Sequence, residues 1–268
     1  MGSGKRFIIF LAFLTLIGVA TACAEQATVF DFSGDAKIVP KGRKIGVDCE
    51  KGMVVYPGDW VKTGSGSFVT IAFDDKNDNV IKVEENSLVI IKLDGYFKLQ
   101  LLSGEIYAIL ENVEANETFR VLTPSVVTEA TSSGWGAKSD GNLTNVVVFD
   151  DRIFICGINK DGSVNKKRYW IEEGYERSTK KFEEPGELKP APDNMVSWFK
   201  DQVVAHHLDK MMAKQLKEQG IDPAAQGKAG EGAQPGEAPK PGPGKGTVII
   251  DGEEVNLVEY LYRQRLNR

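Results

Sequence analysis

The stretch YPGDWVKTGSGS, Tyr56–Ser67, places two turns around a strand of four residues. In YPGD, Pro57 presets φ for the second turn position and Gly58 can take φ > 0 at the third, as a type II turn requires. Asp59 is placed to accept hydrogen bonds from nearby backbone N–H groups. Trp60 and Lys62 share one face of the next strand and Val61 and Thr63 the other, before TGSGS turns into a strand beginning at Phe68. This chemistry is architectural: it reverses the chain sharply between strands.

The same grammar extends outward from about Ala27 to Tyr175. In FVTIAF, Val69, Ile71 and Phe73 alternate with Phe68, Thr70 and Ala72, and in FKLQLL, Phe97, Leu99 and Leu101 alternate with Lys98 and Gln100. EIYAIL, TFRVLT, NVVVFDDRIFIC and RYWIEEG continue the series, separated by PGD, TGSG, DDKND, SDGN and KDGS. Short β-branched and aromatic runs punctuated by turns predict an all-β sandwich, barrel or solenoid.

The ends read differently. Lys5 and Arg6 precede an apolar run, Phe7 to Ala20, and small residues follow, so residues 1–24 are expected to be a secretory signal peptide. The ATAC stretch resembles a lipobox, which makes Cys23 a candidate lipidation site; cleavage after Ala22 or Ala24 gives a soluble product instead. Without residues 1–24, which hold Lys5 and Arg6 and no acid, 31 Lys plus Arg face 38 Asp plus Glu, a net charge of −7. No basic cluster stands out, which argues against nucleic acid as partner. The remaining cysteines, Cys49 and Cys156, are a candidate disulfide in an oxidising compartment or else two buried thiols.

After the Pro-rich EEPGELKPAP, Met195, Trp198, Phe199, Val203, Leu208, Met211, Met212 and Leu216 recur at helical spacing, predicting an amphipathic helix over 193–219 with Asp193 as N-cap. Its apolar stripe must cover the β-domain, a partner or a membrane surface. Residues 220–246 contain 8 Gly and 5 Pro and read as a disordered linker. The closing segment, 247–268, opens with TVII-DG-EEVN, a hairpin signal, and LVEYLYRQRLNR suits a short helix. A lone hairpin is marginal in water, so this segment is expected to dock.

The order of features over about residues 27–180 resembles the FecR domain of bacterial envelope proteins. The resemblance rests on Gly58, Asp59, Val61, Thr63, Gly64 and Ser67, then Leu102, Gly104 and Ile106, then Thr123 and Pro124, and the closing Gly174. Where the family has Arg-Gly-Thr, this chain reads EATSSGWGAK, with Gly134 and Trp135 in place and the Arg and Thr missing. The resemblance implies a FecR-like β-sandwich or solenoid with an envelope role. In the namesake regulators a cytoplasmic anti-sigma segment and a membrane span precede this domain. Here a signal-peptide-like stretch does, so direct signalling to a sigma factor is not expected.

The sequence offers no nucleophile–base pair. His206 and His207 are adjacent and point about 100° apart on a helix. The DDKNDN stretch, Asp74–Asn79, lacks the central Gly of a calcium loop and has Lys76 at a ligand position, which favours a solvated turn. No catalytic residue, metal ligand or cofactor is expected. Trp60, Trp135 and Trp170 are core aromatics or, if they share an exposed face, candidate binding residues. The expected function is an exported, non-enzymatic, FecR-like binding or scaffold module, periplasmic, outer-membrane-associated or secreted. Its partner would be an envelope protein or glycan, with membrane contact only through a lipid anchor. The alternatives are a carbohydrate- or peptidoglycan-binding module and a sensory component of an envelope signalling system.

Overall fold

Gly58 takes φ +93° and the Asp59 N–H donates to the Tyr56 carbonyl at 3.0 Å, closing the type II turn that leads into the first central strand. The computed structural model describes residues 27–113, 117–218, 247–250 and 253–256. The proposed signal peptide, Cys23, the linker and residues 257–268 lie outside them, as do the side chains of Leu208, Met211, Met212 and Leu216.

The chain runs through β1 (Ala27–Ser33), β2 (Ala36–Val39), β3 (Val47–Asp48), β4 (Val54–Val55), β5 (Trp60–Thr63) and β6 (Phe68–Ala72). It continues through β7 (Asn79–Val83), β8 (Leu88–Ile91), β9 (Leu99–Leu110), β10 (Phe119–Leu122), β11 (Val126–Ala130) and β12 (Ser133–Ser139). Then come β13 (Leu143–Asp150), β14 (Arg152–Ile158), β15 (Val164–Glu172), β16 (Tyr175–Lys180) and β17 (Lys189–Pro190). The helix α1 (Asp193–Glu218) follows, and the pair β18 (Thr247–Ile250) and β19 (Glu253–Asn256) forms a separate two-stranded sheet.

The protein is all-β in its body. Sheet A runs β4-β1-β6-β7-β9-β12-β13-β16-β17 and is antiparallel throughout. Sheet B runs β3-β2-β5-β8-β9-β10-β11-β14-β15, with β9 and β10 parallel. The two sheets share β9 and enclose one core, in which Val29, Ile71 and Ile81 of sheet A meet Ile38, Val61 and Val89 of sheet B. Val69 and Ile71 point inward, as do Leu99 and Leu101, following the alternation read from the sequence.

Strand β9 crosses from sheet B to sheet A at Gly104, where φ is +97°. A Cβ there would lie 2.2 Å from Ser87 Oγ and 2.5 Å from Ser87 Cα, so only glycine fits. The Glu105 N–H donates to Ser87 Oγ at 2.9 Å. The passage from β1 to β2 repeats the device: Gly34 has φ +74°, a Cβ on it would meet Ser67 Oγ at 2.4 Å, and the Asp35 N–H donates to Ser67 Oγ at 2.8 Å. The repeat is visible in the sequence as Ser33-Gly34-Asp35 and Ser103-Gly104-Glu105.

Candidate docking face

The signature positions of the FecR resemblance sit at the corners of this body and hold it together. Asp59 is buried; its Oδ1 accepts from the Lys41 N–H at 2.8 Å and its Oδ2 from the Tyr56 N–H at 3.0 Å. Thr63 Oγ1 donates to the Glu84 carbonyl at 2.6 Å and accepts from the Ser87 N–H at 2.9 Å, while the Gly64 N–H reaches the Asp35 carbonyl at 2.8 Å. Thr123 and Pro124 link β10 to β11, where Thr123 Oγ1 donates to the Val126 carbonyl at 2.9 Å. Thr123 also meets Thr144 Oγ1, which accepts from Ser125 Oγ at 2.6 Å, in a wholly buried hydroxyl cluster. Gly174, at φ +79°, turns β15 into β16. Val61 is core. These residues are occupied in architecture, so a docking surface has to be sought on the outer faces of the two sheets.

The first half of α1 covers the centre of the outer face of sheet A: Met195, Trp198, Phe199 and Val203 of the predicted stripe pack with Tyr107, Val147 and Phe149. Phe199 is buried and stacks on Phe149 with centroids 4.3 Å apart. Trp198 lies against Tyr107 at 4.4 Å. Gly134 and Gly136 make the seat: a Cβ on Gly134 would meet the Phe199 ring at 2.5 Å, and one on Gly136 the Tyr107 ring at 2.8 Å. Polar clamps fix the rest, with Lys82 Nζ donating to Gln202 at 2.9 Å and Lys210 reaching Asp78 at 2.8 Å and Glu111 at 2.9 Å. His206 Nε2 lies 3.0 Å from the Asn77 carbonyl, and burial pushes the imidazole down to about 4. A crevice of about 190 Å³ remains beneath the helix between Phe30, Phe68, Lys82 and His206.

The outer face of sheet B is different. Its register aligns Val39, Trp60, Ile90 and Gln100 across β2, β5, β8 and β9. The same row continues through Leu122, Val127, Cys156 and Arg168 on β10, β11, β14 and β15. Seven inter-strand steps make it about 34 Å long. Trp60 is 40% exposed, Ile90 and Leu122 are half-buried, and Val127 and Cys156 are buried. A second row, Arg120–Glu129–Phe154–Trp170, flanks it. There Phe154 meets Trp170 at 4.0 Å, Arg152 lies over Trp170 at 4.7 Å, and Arg168 over Phe154 at 3.8 Å. Glu129 receives Arg120 at 2.9 Å and Arg168 at 2.7 Å, so two guanidinium groups share one carboxylate. Opposite charges and stacked rings of this kind hold long side chains in place on a face that remains accessible.

The structure separates the alternatives left open for the candidate residues. Trp135 is not a binding aromatic: it is wholly buried in the core, turned inward because the glycines on either side leave the outer face to Phe199 and Tyr107. Trp60 and Trp170 share the outer face of sheet B but stand six strands apart, about 29 Å, and form no cluster. Cys49 and Cys156 do not pair: both are buried thiols, one in the β3–β4 turn and the other on β14. Burial pushes Cys49 up to about 11 and raises Cys156, with the Glu129 charge adding to the latter. The Asp74 loop is a hairpin turn whose carboxylate accepts from the backbone N–H groups of Lys76, Asp78 and Asn79. Among the described residues, no group of three His, Cys, Asp or Glu is placed to hold a metal, and no helix is long and apolar enough to cross a membrane.

No curated protein matches this sequence. Two crystal structures of a candidate anti-sigma factor from Parabacteroides distasonis ATCC 8503 resemble the chain with a TM-score of 0.42 and 10% identity, over 53% of this chain. The chain spans 64% of that protein's own length. Residues 59–153, from the corner before β5 into β14, match the family model described as FecR protein, and the matched stretch lies at the centre of the β-body.

Proposed function

We propose that this chain is an exported, non-enzymatic, FecR-type binding module of the bacterial envelope that takes a protein partner along the outer face of sheet B. The observation that carries this reading is the contrast between the two faces. The centre of sheet A is covered by α1, whereas the outer face of sheet B leaves Trp60 exposed near one end and the Phe154–Trp170–arginine cluster at the other. Aromatic and Arg side chains are the types that anchor protein interfaces. Anchors spread across the sheet suit an extended partner, whereas a sugar-stacking site needs its rings together. The FecR match over residues 59–153 supports an envelope setting for this module.

The non-enzymatic part is supported by the state of the reactive groups. His206 is buried against a carbonyl on α1, and both described thiols are buried with raised pKa values. To test the reading, photo-crosslinking side chains are placed at Trp60, Lys62 and Trp170, and for contrast at exposed Lys200 on α1, in cells that make the protein natively. Adducts to one protein from the sheet B positions and none from position 200 are expected. Adducts from position 200 alone, or glycan adducts at Trp60 and Trp170, would overturn it.

A further inference from the structure

We infer that the loop between β2 and β3 docks on an anionic phospholipid surface, with Ile45 entering the headgroup layer and Lys41, Arg43 and Lys44 meeting the lipid phosphates. Residues 37–48 hold four cations, Lys37, Lys41, Arg43 and Lys44, against one acid, Asp48, on a chain whose formal net charge is −5. Lys37 is paired with Asp35 and Asp48. Among the described residues, no carboxylate pairs with Lys41, Arg43 or Lys44. Three such cations are too few for a nucleic-acid surface, which neutralises a run of phosphates. Next to them stands Ile45, 84% exposed, and Tyr56 beside the loop is 57% exposed.

The loop is fixed to the body at both ends. The Asp59 carboxylate accepts from the Lys41 N–H at 2.8 Å and from the Tyr56 N–H at 3.0 Å, which sets the loop and the Tyr56 turn side by side. The Arg43 N–H donates to the Pro40 carbonyl at 2.9 Å, with Gly42 at φ +77°. At the far end Gly46 lies against β2, where a Cβ would meet Val39 Cγ2 at 3.0 Å. Ile45 stays exposed between these fixed points. An aliphatic side chain flanked by unpaired cations suits a bilayer interface: the apolar carbons enter the acyl boundary and the cations stay at the phosphates. The route of the chain selects the same occupant. Ala27 pairs with Val55, the chain neighbour of Tyr56, so β1 enters the body at this corner. Cys23, the candidate lipidation site, stands four residues before Ala27, a reach of at most about 14 Å, and the apolar run ends at Ala20, at most about 25 Å away. Attachment to a membrane through either one brings the bilayer to the loop.

The test uses the full chain, purified and added to vesicles. A photo-crosslinking side chain is placed at Ile45, and for contrast at Trp170, and the adducts are identified by mass spectrometry. With vesicles of phosphatidylglycerol mixed with phosphatidylcholine, lipid adducts are expected at position 45 and not at position 170. Phosphatidylcholine alone should lower the yield at position 45 about ten-fold or more. The double substitution Arg43→Gln and Lys44→Gln should do the same, at about five-fold per cation. Lys160→Gln with Lys166→Gln removes equal charge elsewhere and should leave the yield unchanged. In cells that make the protein natively, position 45 should capture phospholipid. Protein adducts at position 45 in cells, equal lipid yields at positions 45 and 170, or a yield indifferent to phosphatidylglycerol or to the loop substitutions would overturn the inference.

Discussion

Acidification from pH 7 to pH 4.5 is expected to release α1 from sheet A, with His206 as the group responsible. His206 is 6% exposed, lies edge-on to Phe30 at 5.4 Å and donates from Nε2 to the Asn77 carbonyl at 3.0 Å, the arrangement of a neutral imidazole. Burial pushes it down to about 4; Lys210 and His207 act in the same direction, while the Asn77 hydrogen bond and Glu111 oppose it. In the unfolded chain the same side chain titrates near 6.5. Between pH 6.5 and about 4 the unfolded state therefore binds a proton that the native state refuses, so stability falls as pH falls through that window and levels off below it. At about 1.4 kcal/mol per pH unit, acidification to pH 4.5 costs about 2–3 kcal/mol.

The pH slope of the wild-type chain sums over all its titrating groups, so that slope alone does not report the imidazole. The difference between wild type and His206→Gln isolates the imidazole. Urea unfolding at pH 7 and 4.5, followed by tryptic cleavage after exposed Lys200, reports both global stability and release of the helix. Wild type should lose about 2–3 kcal/mol more than His206→Gln on acidification. Equal losses in the two proteins, or a wild type that gains stability in acid, would refute the reasoning.

Gly104→Ala should cost about 2–4 kcal/mol in urea unfolding, since it combines φ +97° with a Cβ 2.5 Å from the Ser87 backbone; Gly174→Ala, at φ +79° with open space around it, should cost only about 1 kcal/mol. Equal costs would mean that the β9 crossover does not depend on close approach. Phe199→Ala empties the seat formed by Gly134 and Phe149 and should cost about 3 kcal/mol, seen as faster tryptic cleavage in α1 with the β-body intact. Reducing agent should leave the unfolding midpoint unchanged, because Cys49 and Cys156 are separate thiols; a midpoint that falls on reduction would show a bridge.

The strand grammar was legible because each element declares itself locally. Pro57, Gly58 and Asp59 dictate a turn wherever they sit in a fold, and alternation in FKLQLL marks the inward face without reference to a partner strand. Trp135 was not legible from its own type. Its burial follows from Gly134 and Gly136, which give up their side-chain space to rings arriving from Phe199, 65 positions further along, and from Tyr107. The Gly-Trp-Gly pattern was the available signal: glycines on one strand face invite aromatic rings onto that face and turn the residue between them inward.

The sheet B row was out of reach for a different reason. Val39, Trp60, Ile90, Leu122 and Arg168 come from five strands, and what brings them into line is the register of every ladder between them. A slip of one residue in any ladder would turn that strand's contribution into the core. The register is pinned by the corner residues, Ser67 and Ser87 against Gly34 and Gly104, and Thr63 against Glu84 and Ser87. The corner residues that carry the FecR resemblance therefore act on register: they fix the alignment in which outward positions from separate strands come to share one face of sheet B.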